Sequence, residues 1–353
     1  MLSSPNKVSE QVMDIDQFYN DLTRADLKPL WAQTGMLTDE PRDRAIPFRW
    51  RATEMARLGE RSRHLVPIDR GGDRRVLLCA NPGLGGAPAA TSTMAAGVQY
   101  LGGGESAPAH RHTPAALRFM LTGEDVWTRV DGDPIMMKRG DLVLTPSWTF
   151  HEHYNLGKVP AAWVDVIDVP LITHLAGIFY EDGPSDDVDT QTKPASWSEI
   201  QFAGGPGLVP TSSSAASTPT PYSPLFVYRW SDTTAALDAQ LAAKGTEQAA
   251  IRYVDPTRGC DVMPTMRCEA LRLRPASATR TDRQTGSRIG AVLNGSGVVV
   301  VGSDTFGLSA GDIYVVPSWA THRLESADQM DVFTTSDAPV FEALGVFRRV
   351  IVA

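Results

Sequence analysis

At 353 residues, 42% hydrophobic and 21% charged, the sequence has the composition of a soluble globular chain long enough for two domains. A net charge of −8 with no basic stripe argues against nucleic acid or an anionic membrane as a partner, while leaving room for a small acidic substrate held by local arginines. Three scattered cysteines without a CxxC exclude a disulfide framework, no apolar run reaches the roughly 18 residues of a membrane span, and the N-terminal MLSSPNKVSEQVMDIDQF lacks the apolar core of a secretion signal, so the chain reads as cytoplasmic.

Residues 9–24 place Val12, Ile15, Phe18, Tyr19 and Leu22 at helical steps, and Leu27-Lys28-Pro29-Leu30-Trp31 ends that pattern. Residues 1–75 are thus predicted to be a helical N-terminal arm, which also carries the arginine-bearing stretches DEPRDRAIPFRWR and DRGGDRRVLLC. From Val76 short apolar runs alternate with Gly/Pro/Asp turns, the texture of a β-sandwich or barrel over 76–180. Residues 181–245 read as a Gly/Pro/Ser/Thr-rich linker ending in a short helix at 233–244, and 246–353 read as a second β domain.

The two β blocks repeat each other. The first holds Gly123, Gly140-Asp141 and Pro146-Ser147-Trp148, with His151 five residues after the proline; the second holds Gly295, Gly311-Asp312 and Pro317-Ser318-Trp319, with His322 at the same offset. The interval is 171–172 residues, which predicts an all-β chain of two duplicated barrels behind a helical segment.

Four of the seven histidines fall in two His-x-His pairs, His110/His112 and His151/His153. Residues i and i+2 of a strand share a face, so each pair aims two imidazoles at one point. Three neutral imidazoles that leave coordination positions open suit a divalent redox metal that must also bind a substrate and O2.

Gly104-(x5)-His110-Arg111-His112, followed by Gly123, resembles the first cupin motif, and Gly140-(x5)-Pro146-(x4)-His151-(x3)-Asn155 resembles the second. The glutamate usual in cupins would fall near Ala116 and is missing, leaving a three-histidine site. LKPLW (27–31), RRVLLCANPGL (74–84), AGVQ (96–99), HRHTPAALRFMLTGE (110–124), GDLVLTPSWTFHEHYN (140–155), WVDVIDVPL (163–171) and VPSWATH (316–322) together resemble the gentisate 1,2-dioxygenases and the related salicylate dioxygenases over nearly the whole chain.

That resemblance implies a bicupin with Fe(II) on His110, His112 and His151, which opens the ring of a small aromatic hydroxy acid by inserting O2 between the carboxyl-bearing C1 and the hydroxyl-bearing C2. It implies substrate contacts from Arg70, Arg74, Gln99 and Arg118, an acid/base role for His153, and Asp165 as the carboxylate that orients His153. Arg118, six residues after His112, is expected on the ligands' face. In the second block Asp282 and Gln284 replace the first histidine pair and Leu324 replaces His153, so that barrel is expected to have a structural or interface role within a homo-oligomer, a tetramer as in the family. Ala95 stands where gentisate enzymes commonly carry an aromatic residue, which suggests a pocket opened for a substituted salicylate such as 5-nitrosalicylate, with gentisate itself as the alternative. A non-redox cupin isomerase or binding protein would not need arginines converging on three histidines.

Overall fold

The structure, a computed structural model, describes residues 15–183, 196–205, 208, 210 and 220–352. Residues 1–42 form one unit and residues 43–353 another. In the first, helix α1 (Ile15–Arg24) ends at Asp26, whose positive φ of 55° breaks the helix three residues before Pro29. The predicted helix starts earlier, at residue 9, and that part lies outside the described residues. Trp31, in a short turn, donates its indole N–H to Tyr19 at 3.2 Å.

The second unit begins with β1 (Phe48–Trp50), α2 (Ala52–Leu65) and β2 (Val76–Leu78). Then come β3 (Ala95–Leu101), β4 (Ser106–His112), β5 (Ala116–Thr122), β6 (Val126–Val130), β7 (Asp133–Met137), β8 (Leu142–Thr145), β9 (His151–Asn155) and β10 (Ala161–Ile167), closed by α3 (Val169–His174) and β11 (Tyr180–Asp182). The pattern repeats: α4 (Trp197–Phe202), β12 (Val227–Tyr228), α5 (Trp230–Lys244) and β13 (Gln248–Arg252) lead into β14 (Arg267–Leu273), β15 (Asp282–Gln284), β16 (Arg288–Asn294), β17 (Ser296–Val301), β18 (Asp304–Ser309), β19 (Ile313–Val316), β20 (His322–Ser326) and β21 (Met330–Ser336), then α6 (Ala338–Ala343) and β22 (Arg349–Ile351).

Each barrel is two antiparallel sheets. The first pairs β12-β8-β5-β10-β3-β2 with β11-β4-β9-β6-β7; the second pairs β1-β19-β16-β21-β14-β13 with β18-β17-β20-β15-β22. The assignments of β1 and β12 are reciprocal. Phe48–Trp50, inside the predicted N-terminal arm, registers against Val315, Tyr314 and Ile313 of the second barrel. Val227–Tyr228, inside the predicted linker, registers against Val143 and Leu142 of the first.

The Gly-Asp turns seen in the repeat explain how these crossovers are held. Asp141 Oδ1 accepts the Trp230 N–H at 2.9 Å and its Oδ2 accepts from Arg229 at 2.6 Å. In the second barrel Asp312 Oδ1 accepts the Ala52 N–H at 2.7 Å, with Arg49 at 3.7 Å from Oδ2. Each aspartate thus caps the exposed N–H groups, and the positive dipole end, of the helix that leads into the other barrel.

The predicted linker also contains structure that composition alone concealed. Ser196 accepts from the Glu199 N–H at 3.1 Å while Glu199 accepts from the Ser196 N–H at 3.2 Å, a reciprocal capping box that starts α4. Glu199 then takes Arg229 in a bidentate pair at 2.6 and 2.5 Å. Much of the Ser/Thr/Pro stretch beyond it lies outside the described residues.

Among the described residues three apolar cores result. One fills the first barrel around Trp163, Met120 and Ile135, and one fills the second around Tyr314, Val299 and Leu308. The largest lies between the barrels, where the two six-stranded sheets pack face to face and Phe119 stacks on Phe333 at 4.4 Å and 12°. Truncating either ring to alanine would cost about 3–5 kcal/mol.

Candidate active site

In the first barrel, β9 alternates buried and half-buried along His151-Glu152-His153-Tyr154-Asn155, so His151, His153 and Asn155 point inward. Asn155 serves the fold: its amide donates to Leu101 O and Val159 O at 3.0 and 2.8 Å. The neighbouring β4 brings His110 directly opposite His151 after a bulge that follows Ala107. One ring nitrogen from each of His110, His112 and His151 lies within 4.8 Å of the others.

Backbone carbonyls set which nitrogen that is. His110 Nδ1 sits 3.1 Å from Pro108 O, His112 Nδ1 2.7 Å from Pro114 O and His151 Nδ1 3.0 Å from Thr149 O. A carbonyl only accepts, so each ring carries its proton on Nδ1 and turns the Nε2 lone pair to the common point. His151 Nε2 is buried with no hydrogen-bond partner. Burial pushes all three imidazoles below their usual pKa, His112 to about 4, with the Arg118 charge acting in the same direction. Three neutral imidazoles, each held by a carbonyl behind it, fit a divalent metal with open positions.

The point opens into a cavity of about 340 Å³. Arg118, Gln99, His153, Asp165, Asp73, Arg74 and Tyr180 supply its polar groups; Val76, Ala96, Ala107 and Ile167 supply apolar wall. Arg118 does not continue the ligand strand as expected. The chain turns at 113–115, and Arg118 reaches the cavity from β5, in the opposite sheet. It is 4% exposed, donates to the Thr145 hydroxyl, and leaves its Nε buried without a hydrogen bond. Desolvation lowers its pKa, and Asp165 at 3.4 Å opposes that shift.

Asp165 departs from its expected place as well. It does not orient His153: register sets it directly across from Arg118, and it accepts from the Trp163 indole at 3.1 Å. Burial pushes its carboxyl up to about 6. His153, 1% exposed, instead meets the Thr128 hydroxyl through Nδ1 at 2.8 Å, because β6 and not β10 is its neighbour.

Of the remaining expected residues, Gln99 lines the cavity and donates to Asp73 O at 3.3 Å, and Arg74 reaches the mouth. Arg70 is exposed on the turn Ile68–Arg70, away from the cavity lining; Ala95 is buried at the start of β3, in register with Ile167 of the cavity wall and on the strand face of Gly97 and Gln99. Tyr180, Thr145, Thr128 and Asp73 were missed. Tyr180, in β11 beside β4, lies 5.8 Å from the His110 ring, accepts from Arg74 and donates to Asp182 at 2.5 Å. Its signal was available: GIFYED after Asp168-Val169-Pro170 repeats as GVFRRV after Asp337-Ala338-Pro339.

Residues 97–167 and 271–335 each match the cupin domain model. A gentisate 1,2-dioxygenase of a Streptomyces species is 43% identical over 95% of this chain and 94% of its own length. The chain belongs to the gentisate and salicylate 1,2-dioxygenase family. The salicylate 1,2-dioxygenase of Pseudaminobacter salicylatoxidans, another member, has a structure similar at TM-score 0.90, with 42% identity and 99% of both chains covered. A 5-aminosalicylate 1,2-dioxygenase of a Comamonas species is 35% identical over 95% of this chain and 90% of its own. The chain is accordingly a bicupin, a ring-cleaving 1,2-dioxygenase and an oxidoreductase that incorporates O2. Among the described residues no helix is long and apolar enough to cross a membrane.

Proposed function

We propose that this dioxygenase holds Fe(II) on His110, His112 and His151 and cleaves a salicylate- or gentisate-type aromatic acid, a 5-substituted salicylate among them, between its carboxyl-bearing C1 and hydroxyl-bearing C2. One observation carries the reading. Three converging imidazole nitrogens stand in a cavity whose opposite wall presents the buried Arg118 guanidinium, its charge offset only by Asp165 at 3.4 Å from Nε and its hydrogen bonds incomplete. A buried cation short of hydrogen bonds is costly alone and is relieved by an anionic ligand.

Bound there, Fe(II) would supply Lewis acidity and the electron transfer to O2 that the ring alone does slowly. The chain's own residues do the rest. Arg118, with its planar fork, takes the substrate carboxylate, and Arg74 at the mouth attracts it. His153 handles a proton. The Thr128 hydroxyl holds His153 through Nδ1 at 2.8 Å, and Nε2 is left to exchange the phenol proton. Burial keeps that ring neutral, the form a base requires. Gln99 fixes the edge of the ring, and the apolar wall excludes water.

Ala95, in register with Ile167 of the cavity wall and on the strand face that carries Gly97 and Gln99, supports a pocket opened for a substituted salicylate such as 5-nitrosalicylate, with gentisate itself as the alternative. The test is O2 uptake by Fe(II)-loaded protein with gentisate, salicylate, 5-aminosalicylate, 5-nitrosalicylate and 1-hydroxy-2-naphthoate, with His110→Ala as control. Uptake with gentisate or salicylate that vanishes in the control supports the reading. Bound iron with no uptake on any member overturns it.

A further inference from the structure

The second barrel has a cavity of its own, about 260 Å³, at the place that corresponds to the active site. Register sets Asp282 opposite His322, as it sets His110 opposite His151 in the first barrel. The chemistry is inverted. Arg288 binds Asp282 through both nitrogens at 2.9 Å, and Arg349 adds a third hydrogen bond to the same carboxylate at 2.6 Å.

Arg288 also lies 3.1 Å from His322 Nδ1. A guanidinium only donates, so Nδ1 accepts, and the neutral ring carries its proton on Nε2. The Asp282 oxygen, at 3.8 Å from the same nitrogen, is too far to claim that proton. His322 Nε2–H is therefore a buried donor, and it has no partner. This is the tautomer opposite to that of His151: it cannot ligate a metal, and it requires an acceptor.

The lining adds charge and apolar area. Arg280, Arg288 and Arg349 face Asp282 and Glu269, three cations against two carboxylates. Arg280 is exposed and makes no ion pair among the described residues. Leu271, Leu324 and Ile351 give room for a hydrocarbon body.

We propose that the second barrel binds a small organic carboxylate, whose oxygens meet His322 Nε2–H and the surplus guanidinium charge while its apolar part rests on Leu324 and Ile351. The barrel that cannot hold a catalytic metal is then a ligand site in its own right, distinct from the ring-cleavage site.

The test uses the iron-loaded full-length protein and benzoate, which has the carboxylate but lacks the ortho hydroxyl of a substrate. Crystals soaked in 4-bromobenzoate should show an anomalous bromine peak in the second cavity. In calorimetry, Arg280→Ala should weaken that binding at least ten-fold while ring cleavage by the variant stays at the wild-type rate. A bromine peak in the first cavity alone, or benzoate binding unchanged in Arg280→Ala, overturns the proposal. Since neither readout depends on which acid is cleaved, failure here leaves the catalytic reading standing.

Discussion

Thr265 of the second barrel donates to Asp168 Oδ2 of the first at 2.6 Å, and the contact has a mirror partner across the same seam: Thr93 of the first barrel donates to Asp337 Oδ2 of the second at 2.5 Å. Each aspartate also accepts one backbone N–H within its own barrel, from Ala115 and from Ser287, both at 2.8 Å. Burial pushes both carboxyls up to about 6, against hydrogen bonds that pull the other way.

A raised carboxyl pKa means that the folded state holds the proton more tightly than the unfolded one. Its contribution to stability is fully present below the unfolded value near 3.8 and is lost as pH rises through about 6. Each site corresponds to roughly 3 kcal/mol at most. Asp168→Asn and Asp337→Asn should therefore flatten the pH dependence of urea unfolding between pH 4 and 7 relative to wild type. A wild-type slope retained in both variants would show that these carboxyls are not the titrating groups.

Removing one imidazole should remove the metal and leave the barrel. His151→Ala is expected to bind less than a tenth of the wild-type iron, with circular dichroism unchanged. In wild type, free metal at a hundred times its Kd should raise stability by about 2.7 kcal/mol, and that gain should vanish in the variant. Thermal scans with and without Fe(II) under argon check both.

Arg118→Met leaves Asp165 buried without its cation. Loss of one member of a buried pair commonly costs about 3–5 kcal/mol. Here the carboxyl already sits at about 6 and takes a proton readily, so the loss at pH 6 should be nearer ~1 kcal/mol. Between pH 6 and 8 the penalty should grow by up to ~1.4 kcal/mol per pH unit, because the variant must keep Asp165 protonated. Adding Asp165→Leu should abolish that growth without restoring turnover. A pH-independent penalty would refute the pairing.

His153→Gln should lower kcat by about 10²–10⁴ while iron content and KM stay close to wild type. Thr128→Val, which leaves the ring but removes its hydroxyl partner, should give a smaller loss with the same signature. Equal loss of iron in either variant would instead make His153 a ligand.

Much of the architecture was readable because barrel strands alternate, and because two copies of one pattern lie in one chain. The His-x-His pairs carried their geometry in their spacing. What was not readable depended on register and on which sheet a strand joins. Asp165 and Arg118 are far apart in sequence and meet only because β10 pairs with β5; nothing local tells whether a carboxylate will face His153 or a guanidinium. Arg70 and Arg74 share a charged stretch, and only the turn after Arg70 separates the exposed one from the one at the cavity. The helix at Trp197 was announced by Ser196 and Glu199, but the surrounding Gly, Pro and Ser masked it. The repeat also reaches further back than the metal motifs suggest: Phe48-Arg49-Trp50-Arg51 and Phe226-Val227-Tyr228-Arg229 occupy matching places.

The reciprocal exchange of β1 and β12 has a consequence for how such a chain can change over time. Cutting between the barrels would give neither half a complete molecule, since each would forfeit an edge strand, a capped helix and its broadest apolar face. A second barrel that stops handling metal is therefore not dispensable ballast that deletion can discard. It is captive, free to drift in its pocket chemistry while obliged to keep its walls, and such a duplicate is where a new ligand can be acquired without disturbing the old reaction.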